Sequence, residues 1–595
     1  MSEFAHRLAF GAEIVDAGRV RFRVWAPSAS RASVVLDDGA THAMRAETDR
    51  WFVAEIAATR GTGYRYRFDD AEPVPDPASR AQRGGIAGSS VVVDPRAYAW
   101  NTSAWRGRPW REAVVYELHV GVCGGFAGVE RHLDRLAALG VTAIELMPVA
   151  EFPGTRGWGY DGVLPFAPAS AYGEPDALKA LVDAAHARGL MILLDVVYNH
   201  FGPEGNHLGA YAHDFFRDDV ATPWGRAIDF RREPVREFFI GNALYWIDEY
   251  RFDGLRLDAV HAIVPNDWLA DLASRVRACA GSQRHVHLVL ENDDNGAALL
   301  ERGFDAQWND DFHHAAHVLL THERESYYSD YAAEPAAELA LCLSEGFAYQ
   351  GRASPHRDGA IRGEPSAHLP PTAFVSFLQN HDQIGNRALG ERIDALAAPE
   401  SVHAATALLI LSPQVPLLFM GQEWGSRTPF QFFADFAPPL ADAVREGRRR
   451  EFRAFAAFAD ERSRERIPDP NDRRTFETSI PDFDAPSSGD AAITFERTRG
   501  LLAIRRDRIV PWLDGARAID ADVLAECAVR ARLRLGNGAT LTLFANFASA
   551  PVSIDGSGDD EVLYETATGD ASALRTGLLG AHSLIALMSR DADGA

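Results

Sequence analysis

The sequence predicts a (β/α)8 TIM barrel flanked by two β domains, an N-terminal β-sandwich and a C-terminal antiparallel β domain. Three observations support this α/β prediction. Apolar and polar residues alternate near both ends of the chain, which is typical of half-buried antiparallel strands. Between the ends, continuous apolar runs alternate with helical segments, which indicates a parallel sheet. The 595 residues are also enough for more than one domain.

The N-terminal domain is predicted over residues 1–95. In RVRFRVWAP (19–27) Val20, Phe22 and Val24 alternate with arginines, and in GYRYRFDD (63–70) three aromatic residues do the same. This period of two predicts antiparallel strands with one buried face. The segment 71–90 is rich in Pro, Gly and Ser, so it predicts a loop at the domain boundary.

The central domain is predicted over residues 105–510, and short apolar runs recur along it. They are AVVYELHV (113–120), AIELMPV (143–149), MILLDVVYNH (191–200), GLRLDAV (254–260), HLVLEN (287–292), FDAQWN (304–309), FVSFLQNHD (374–382) and PLLFMGQEW (416–424). The helical segments HLDRLAALG and DALKALVDAAHARG end at glycine, as helices often do. Eight parallel strands favour a closed barrel. A doubly wound sheet is the alternative, but no GxGxxG follows the first strand.

The C-terminal domain is predicted over residues 515–595. The segments ATLTLFANFASAPVSI (539–554) and SLIALMS (583–589) alternate as antiparallel strands do. The most apolar stretch of the whole chain is 404–421, and it is interrupted by Ser412, Pro413 and Pro416. A buried helix followed by a buried strand therefore fits this stretch better than a membrane span.

Composition and single residues exclude several classes of function. The net charge of −24 disfavours nucleic-acid binding, because the phosphates would be repelled. The four cysteines are far apart and form no CxxC, so we expect the reduced thiols of a cytoplasmic enzyme. The N-terminus shows no signal-peptide pattern. Lys179 is the only lysine and does not lie in a Gly-rich loop, which excludes a P-loop.

Polar residues cluster at the carboxyl ends of the apolar runs, where a barrel places its active site. The residues concerned are Asp195, Asn199 and His200 after the third run, Arg256 and Asp258 in the fourth, Glu291 in the fifth, and Asn380, His381 and Asp382 in the seventh. A single aspartate at a strand end is usually a cap or a loop anchor, and Asp195 fits that role. Three carboxylates and two histidines at one barrel mouth instead predict chemistry.

Glycoside cleavage uses two carboxylates without a metal cluster, a cysteine nucleophile or a phosphate loop. One carboxylate attacks the anomeric carbon and the other, protonated, donates to the leaving oxygen; in a retaining enzyme they lie about 5–5.5 Å apart. Arg256 and Asp258 share one face of their strand, so we expect Arg256 to keep Asp258 ionised as the nucleophile. Glu291 follows the apolar HLVL, where burial would raise its pKa, as a general acid requires.

Aromatic residues near the predicted strand ends support a sugar ligand, because sugar rings have apolar faces that stack on aromatic rings. They are Trp158, Tyr160, Trp308 and Trp424. For each tryptophan taken alone, core packing is the more common role.

The sequences DVVYNH, GLRLDAVH, HLVLEN and FLQNHD resemble, in this order, the four signature regions of the α-amylase family of glycoside hydrolases, family 13. The resemblance covers residues 110–425. It implies that Asp258 is the nucleophile, that Glu291 is the general acid/base, and that Asp382 holds sugar hydroxyls and stabilises the transition state. It also implies a −1 subsite lined by Tyr160, His200, Arg256 and His381.

Further segments resemble one group within this family, the maltooligosyltrehalose trehalohydrolases, over nearly the full length. They are GFDAQWNDDFHHAAHVLLT (303–321), ENDDN (291–295) and IPDPNDRRTFETS (467–479). The resemblance implies hydrolysis of the α-1,4 bond next to the terminal trehalose unit of maltooligosyltrehalose, which releases trehalose and a shorter maltooligosaccharide. It implies additional substrate contacts at His261, Asn309, Asp310, Asp311, Phe312, His313, Gln383 and Asn386.

Two positions refine what the resemblance implies. Position 261 is His where many amylases have Lys followed by His, and it lies toward the leaving-group side, which fits a +1 site for trehalose. Asn199 matches a calcium ligand of amylases, but the rest of a calcium cage is not evident. We therefore expect no required metal and no cofactor.

Two alternative functions have different requirements. A glucan branching or debranching enzyme of the same family is the nearer one, and the NDDFHH stretch argues against branching. A non-catalytic carbohydrate-binding protein on this fold would be expected to lack a catalytic acid. The expected partners are maltooligosyltrehalose and related α-glucans, with neither nucleic acid nor membrane. We also expect functional pairing with a maltooligosyltrehalose synthase, because trehalosyl chain ends are otherwise rare.

Overall fold

The computed structural model describes residues 4–222, 225–556, 558 and 560–590. Two antiparallel sheets come first along the chain, a closed eight-stranded parallel barrel follows, and an antiparallel sheet ends the described chain. The predicted fold class is therefore confirmed. Residues 1–3 and 591–595, which belong to the predicted terminal domains, lie outside the described residues.

The N-terminal domain consists of two facing antiparallel sheets, ordered β1-β2-β6-β5 and β4-β3-β7-β9-β8. Its strands are Gly11–Asp16 (β1), Arg19–Trp25 (β2), Ala32–Leu36 (β3), Thr41–Ala43 (β4), Arg45–Ala46 (β5), Trp51–Ala57 (β6), Gly63–Phe68 (β7), Gln82–Arg83 (β8) and Ser89–Val91 (β9). The predicted alternation is confirmed, because Val20, Phe22 and Val24 are buried on one face of β2. Phe22 meets Tyr64 of the facing sheet edge-to-face, with 4.7 Å between ring centroids.

The segment 71–90 is not the loop at a domain boundary that its composition predicts. It supplies β8 and the start of β9 to the second sheet. Asp76 is fully buried in the segment and accepts a hydrogen bond of 2.6 Å from the Tyr64 hydroxyl. A buried carboxylate satisfied by a strand of the same sheet ties this segment into the N-terminal domain.

The central region contains the barrel and three small hairpins. Its strands are Val115–Leu118 (β10), Ala143–Leu146 (β11), Ala150–Glu151 (β12), Leu164–Pro168 (β13), Met191–Val196 (β14), Phe216–Thr222 (β15), Gly225–Ile228 (β16), Gly254–Leu257 (β17), His287–Leu290 (β18), Ala306–Trp308 (β19), Arg352–Ser354 (β20), Ala360–Arg362 (β21), Phe374–Phe377 (β22) and Val415–Phe419 (β23). The barrel order is β10-β11-β14-β17-β18-β19-β22-β23, all parallel, so the eight predicted runs are confirmed as its strands.

Helices connect the strands and cover the barrel. The α-helices are Phe126–Glu130 (α1), Leu133–Leu139 (α2), Pro175–Ala187 (α3), Leu208–Tyr211 (α4), Glu233–Asp248 (α5), Trp268–Ala280 (α6), Asp310–Thr321 (α7), Pro335–Glu345 (α8), His381–Gly385 (α9), Ile393–Leu396 (α10), Pro399–Leu411 (α11), Leu440–Glu451 (α12), Glu461–Arg464 (α13), Arg473–Glu477 (α14), Gly489–Ile504 (α15) and Asp570–Arg575 (α16). Gly140 and Gly189 follow α2 and α3 with φ of 109° and 73°, the left-handed conformation that ends a helix. The apolar stretch 404–421 is a buried helix, α11, followed by the buried strand β23, as predicted.

The C-terminal domain is an antiparallel sheet ordered β24-β25-β26-β30-β28, accompanied by the pair β27-β29. Its strands are Arg517–Ala525 (β24), Ala528–Arg534 (β25), Ala539–Asn546 (β26), Val552–Ser553 (β27), Glu561–Glu565 (β28), Leu578–Leu579 (β29) and Ser583–Arg590 (β30). Across the described ranges, no helix has both the length and the apolar character that a membrane crossing requires.

A buried ionic cluster joins the N-terminal domain to the barrel. Glu249, at the end of α5, accepts hydrogen bonds from Arg80 Nη2 at 3.2 Å and from Lys179 Nζ at 3.4 Å. All three side chains are at most 4% exposed. Arg80 also donates to the Ala12 carbonyl at 3.1 Å, so one carboxylate links β1, α3 and α5. Burial of two cations around one anion makes Glu249 necessary for the domain contact.

We predict that Glu249→Gln destabilises the protein by about 3–5 kcal/mol, because two buried cations lose the carboxylate that they share. The matched control is Asp176→Asn, which breaks another contact between the N-terminal domain and α3. Arg60 and Asp176 form an ion pair of 3.0 Å with side chains 56% and 42% exposed. We expect it to contribute no more than about 1 kcal/mol. Urea unfolding followed by tryptophan fluorescence measures both variants, and equal shifts of the midpoint would contradict this role of Glu249.

Candidate active site

A cavity of about 620 Å³ opens at the carboxyl ends of the barrel strands, and the three predicted catalytic acids line it. Asp258 follows β17, Glu291 follows β18, and Asp382 lies in α9 after β22. The lining residues are Trp158, Tyr160, Asp161, His200, Arg256, Asp258, Ala259, His261, Glu291, Asp293, Asp310, His314, Tyr327, Asp330, Tyr331, His356, Arg357, Arg362, His381, Asp382, Gln383, Asn386 and Phe432.

Arg256 lies at the centre of the site and contacts three carboxylates. Its Nη1 donates to Asp195 Oδ2 at 2.7 Å and to Asp258 Oδ1 at 2.9 Å, and its Nη2 donates to Glu291 Oε2 at 2.7 Å. The side chain is 1% exposed. The sequence predicts the contact with Asp258 but not the one with Glu291. One guanidinium therefore positions both predicted reacting carboxylates.

The barrel interior explains why an arginine can occupy a strand. Seven of the eight barrel strands contribute to an apolar cluster that includes Val115, Leu193, Val289 and Phe377, whereas β17 contributes none. The Arg256 guanidinium lies 4.2 Å from the centroid of the Trp308 ring, which belongs to this cluster. Trp308 is 1% exposed and does not line the cavity, so it packs in the core against Arg256, as expected for a single tryptophan, and is not a sugar platform.

Burial and one backbone donor define the environment of Glu291. Burial raises the pKa of its carboxyl above the usual value, Arg256 opposes this shift, and the Asp258 charge adds to it. The N–H of Ala259 donates to Glu291 Oε2 at 2.9 Å. Ala259 has φ of 41°, a left-handed conformation that a residue with a Cβ rarely adopts. The strained turn after Asp258 thus brings a backbone donor to Glu291, the predicted general acid.

Asp382 and His381 form the opposite wall of the cavity. Burial raises the pKa of Asp382, His381 opposes the shift, and the Glu291 charge adds to it. Asn386 Nδ2 donates to Asp382 Oδ1 at 2.6 Å. His381 Nδ1 pairs with the Glu117 carboxylate, and its backbone N–H donates to the other Glu117 oxygen at 3.0 Å. Burial alone would lower the pKa of His381, but Glu117 outweighs it and the pKa is raised.

Glu117 and Glu145 form a buried layer below the cavity that the sequence interpretation missed. They lie opposite each other in the register of β10 and β11, and each is 1% exposed. Burial, together with the charges of Glu117 and Asp195, raises the pKa of Glu145 well above its usual value. Glu145 is therefore held as a neutral acid beside the charged pair of Glu117 and His381. The sequence feature that could have indicated this layer is a glutamate inside each of two apolar strands.

Tyr160 forms one side of the predicted −1 subsite. Its ring stacks on the His381 imidazole at a centroid distance of 5.1 Å, and its hydroxyl donates to Asp195 Oδ2 at 2.5 Å. Asp195 does not line the cavity; burial raises its pKa to about 7, and it holds Tyr160 and Arg256 in place. His200 Nε2 lies 3.1 Å from the Tyr160 carbonyl, and burial lowers the pKa of His200 to about 4.

The predicted NDDFH contacts divide into one residue in the cavity wall and four behind it. Asp310 lines the cavity, accepts from Gln383 Nε2 at 3.0 Å, and has a pKa raised well above the usual value by burial and by the Glu291 charge. The prediction of substrate contact is wrong for the other four, which are at most 2% exposed and do not line the cavity: Asn309, Asp311, Phe312 and His313.

Two of these four residues, Asp311 and His313, hold the cavity wall in place. Asp311 accepts from Asn295 Nδ2 at 2.9 Å and from the N–H groups of Ala348 and Tyr349 at 2.8 and 2.9 Å. It also forms an ion pair of 2.9 Å with Arg362. His313 bonds through Nδ1 to the Leu378 carbonyl at 2.7 Å. These contacts anchor the insertion between β19 and β22 against the barrel.

That insertion supplies cavity residues that the sequence interpretation did not find, among them Tyr327, Asp330, His356, Arg357 and Arg362. Arg357 Nη1 donates to Asp294 Oδ1 at 2.8 Å, and Arg362 Nε donates to the Asp293 carbonyl at 2.7 Å. No local sequence pattern marks these residues, because only the tertiary fold brings them close to the segment after Glu291.

The remaining sequence-predicted residues are placed as follows. His261 lines the cavity, and its Nδ1 accepts from the Asp293 N–H at 3.3 Å. Trp158 also lines the cavity. Trp424 does not; it is 4% exposed and packs under the Arg135 guanidinium at 5.1 Å, so its predicted place in this site is wrong.

Asn199 forms hydrogen bonds with Asp258, the residue that follows β17. Its Nδ2 donates to the backbone carbonyl of Asp258 at 3.0 Å and to Asp258 Oδ2 at 2.6 Å, and its Oδ1 bonds to His200 Nδ1 at 2.5 Å. In the part of the chain that the structure describes, no group of three or more His, Cys, Asp or Glu side chains could hold a metal ion.

Comparison with known families and structures gives consistent matches. Residues 67–214 match the α-amylase catalytic domain, 9–97 match carbohydrate-binding module 48 (isoamylase N-terminal domain), and 516–585 match a C-terminal domain of unknown function. A crystal structure of a candidate α-amylase from Salmonella typhimurium superposes with a TM-score of 0.92 at 42% identity, covering 98% of this chain and all of that one. A pullulanase from Anoxybacillus sp. LM18-11 shares the fold, with a TM-score of 0.70 at 16% identity over 98% of this chain and 88% of its own.

The barrel, its two flanking domains and the site with three carboxylates define a glycoside hydrolase of the α-amylase family. The relatives define the group within it. Malto-oligosyltrehalose trehalohydrolases from Deinococcus radiodurans and Mycobacterium tuberculosis are 41% and 37% identical, over 84% and 92% of this chain and 83% and 95% of their own. This chain belongs to the malto-oligosyltrehalose trehalohydrolase family.

We predict that Glu117→Gln lowers kcat/KM at neutral pH by about ten- to a hundredfold, because His381 loses a charge-assisted hydrogen bond. Glu117 raises the pKa of His381, so the substitution lets His381 lose its proton at lower pH and should add a loss of activity below the alkaline limb of the parent enzyme. The pH profile of kcat/KM measures this change.

The matched control is Glu145→Gln, one strand away in the same register. Because that carboxyl is already neutral, we expect kcat/KM to change by no more than about twofold. Similar losses in the two variants would show that neither residue acts through the charge on His381.

Proposed function

We propose that this chain is a retaining glycoside hydrolase that cleaves the α-1,4-glucosidic bond next to the terminal trehalose of maltooligosyltrehalose. The observation that carries the proposal is the binding of Asp258 and Glu291 to the same guanidinium, at 2.9 and 2.7 Å, in a cavity of about 620 Å³. This geometry supports two carboxylates that act on one bond. Membership of the trehalohydrolase family supports trehalose as the leaving group.

In the first step, Asp258 attacks the anomeric carbon of the glucosyl unit that precedes the trehalose. The bond to the glycosidic oxygen breaks, and Glu291 gives its proton to that oxygen, so trehalose leaves as a neutral sugar. The raised pKa of Glu291 keeps the required proton available. Arg256 stabilises the carboxylate form of Asp258 through its hydrogen bond.

In the second step, Glu291 is ionised and acts as a base. It takes a proton from water, the water oxygen attacks the anomeric carbon, and the ester bond to Asp258 breaks. The maltooligosaccharide leaves with a new hydroxyl, and both carboxylates return to their starting forms. We assign the holding of the −1 sugar hydroxyls to Asp382, His381, His200 and Arg256, beneath which Tyr160 stacks on the sugar ring.

The leaving-group side is assigned to the wall formed by the segment after Glu291 and the insertion. Asp293, Arg357 and Arg362 are joined there by hydrogen bonds, and His261 is bonded to the same segment. A wall of fixed donors and acceptors recognises a ligand rich in hydroxyls, because an unmatched ligand would leave buried polar groups unpaired. Trehalose presents hydroxyls on both of its rings.

A branching enzyme shares the catalytic acids, so the acceptor distinguishes the two reactions. Branching enzyme GlgB from Corynebacterium jeikeium is 29% identical over 70% of this chain and 62% of its own length. The trehalohydrolases named above are more similar over more of the chain. Water as the acceptor and trehalose as the leaving group are therefore favoured.

We further propose that the enzyme works in the cytoplasm and is paired in function with a synthase that forms the trehalosyl end. Cys123, Cys279, Cys342 and Cys527 all carry free thiols, which supports a reducing compartment. The chemistry of the substrate supports the pairing, because trehalosyl chain ends are otherwise rare and must be formed by another enzyme.

The function is tested by giving the enzyme maltopentaosyltrehalose or maltoheptaose, with a chelator present, and measuring free trehalose and reducing ends. We expect kcat/KM to favour the first substrate by about a hundredfold or more, because a site that hydrogen-bonds the leaving sugars rejects analogues without them. Asp258→Asn should abolish both activities. Comparable cleavage of the two substrates, or chain transfer without hydrolysis, would move the protein to another activity of the same family.

We predict that the alkaline limb of the kcat/KM profile reports Glu291. Its pKa is raised by burial and its protonated form is the active one, so activity is lost as the pH rises through that value. Glu291→Gln should lower kcat/KM for maltopentaosyltrehalose by about 10²–10⁴-fold. The control is an aryl maltooligoside whose leaving group needs no proton, for which we expect no alkaline limb and a small effect of the substitution. An alkaline limb that persists with the aryl substrate would assign it to another group.

A further inference from the structure

A second cavity, of about 740 Å³, lies between the barrel and the C-terminal domain. Its walls come from the loop after β23, from α11 and α15, and from residues 566–582. It shares no lining residue with the catalytic cavity. Cavities of this size, at the junction of two domains, are common places for small-molecule sites.

Two buried polar atoms in this cavity wall have no hydrogen-bond partner in the described part of the chain. Gln422 is 5% exposed, and its Oε1 accepts from the Phe419 N–H at 3.2 Å, which leaves its Nε2 donor unsatisfied. Asp394 Oδ2 is an unsatisfied acceptor. Both residues line the cavity. A buried donor and a buried acceptor without partners are costly, so their presence in one cavity wall indicates a ligand that supplies both.

The charges around the cavity disfavour an anion and suit a ligand rich in hydroxyl groups. Arg427 and Arg497 line it and are not part of any ion pair within the described ranges. Five carboxylates line the same cavity, and they belong to Asp394, Glu400, Asp482, Asp490 and Asp570. An anion would meet these carboxylates, whereas hydroxyl groups donate to carboxylates and accept from guanidinium groups.

The wall also offers apolar surface and one strained residue. Val402 and the Trp424 indole lie beside the polar groups. His582 lines the cavity from the C-terminal domain with φ of 46°, and its ring bonds to the Ser401 hydroxyl at 2.6 Å. A left-handed histidine fixed by a residue of the barrel holds the two sides of the cavity together.

We propose that this cavity is a second saccharide site, which takes a short neutral oligosaccharide of α-linked glucose units. Sugar hydroxyls satisfy Gln422 Nε2, Asp394 Oδ2 and the guanidinium groups. The bound sugar comes either from the end of a maltooligosaccharide or from free trehalose, which present the same chemistry. The proposal does not depend on the reaction catalysed in the barrel.

The experiment uses the full chain carrying Glu291→Gln, so that substrates are not turned over. Maltotetraose and trehalose are titrated separately by calorimetry, and the number of sites is counted. We expect two sites per chain for at least one of the sugars. Two sites for maltotetraose alone identify a glucan end as the ligand, and two sites for trehalose alone identify the disaccharide.

Two substitutions on one helix locate the second site. Ala491→Trp fills the cavity, whereas Ala492→Trp introduces the same side chain at the next residue, which lines a separate shallow surface. We expect one site in the first variant and two in the second.

Asp394→Asn removes an acceptor with little change of volume and should weaken the second site about three- to tenfold. Unchanged hydrolysis by Ala491→Trp, placed in the active enzyme, shows that the variant is folded. A single site in the parent chain, or two sites in Ala491→Trp, overturns the proposal.

Discussion

The contact on which the site depends is the buried guanidinium of Arg256 between three carboxylates. It bonds to Asp195, Asp258 and Glu291 at 2.7–2.9 Å and lies above the Trp308 ring. Burying one cation is expensive, and burying three anions without it would cost more, so each partner stabilises the others. The constraint extends to the fold, because the contact requires β17 to pair in register with β14 and β18. A slip of one residue would turn Arg256 out of the barrel.

The charges in the barrel also separate the roles of chemically similar acids. Arg256 and a protonated His381 face more carboxylates than they can neutralise, so some acids must remain protonated. Glu145 forms no hydrogen bond with Arg256 and its pKa is raised well above the usual value, whereas Glu291 shares Arg256 with Asp258. The proton needed by a general acid is thus a consequence of charge balance in a dry interior. Burial alone would not distinguish the nucleophile from the acid.

Much of the fold and the position of the three predicted catalytic acids at the barrel mouth could be predicted from the sequence, because each depends on local sequence. Period-two alternation marks the outer strands, and an acid after an apolar run marks a barrel mouth. Substrate contact was wrongly predicted for four of the five NDDFH residues, and the reason is geometric. Helix α7 begins at Asp310, and residues four apart share a helix face, so only Asp310 and His314 reach the cavity while the residues between them point inward. Arg357, Arg362 and Glu117 were missed because only the tertiary fold brings them to the site.

The N-terminal domain matches a carbohydrate-binding module, yet its own contacts describe a structural role. Its aromatic rings are buried or half-buried across 9–97, where they fill the space between its sheets or cover the barrel. Phe10 meets Phe238 of α5 with 5.1 Å between ring centroids, close to the buried pair of Arg80 and Glu249. Rings engaged in this way are not presented as a platform for a glucan. The N-terminal domain therefore packs on α5, the helix that leads into β17 and Arg256.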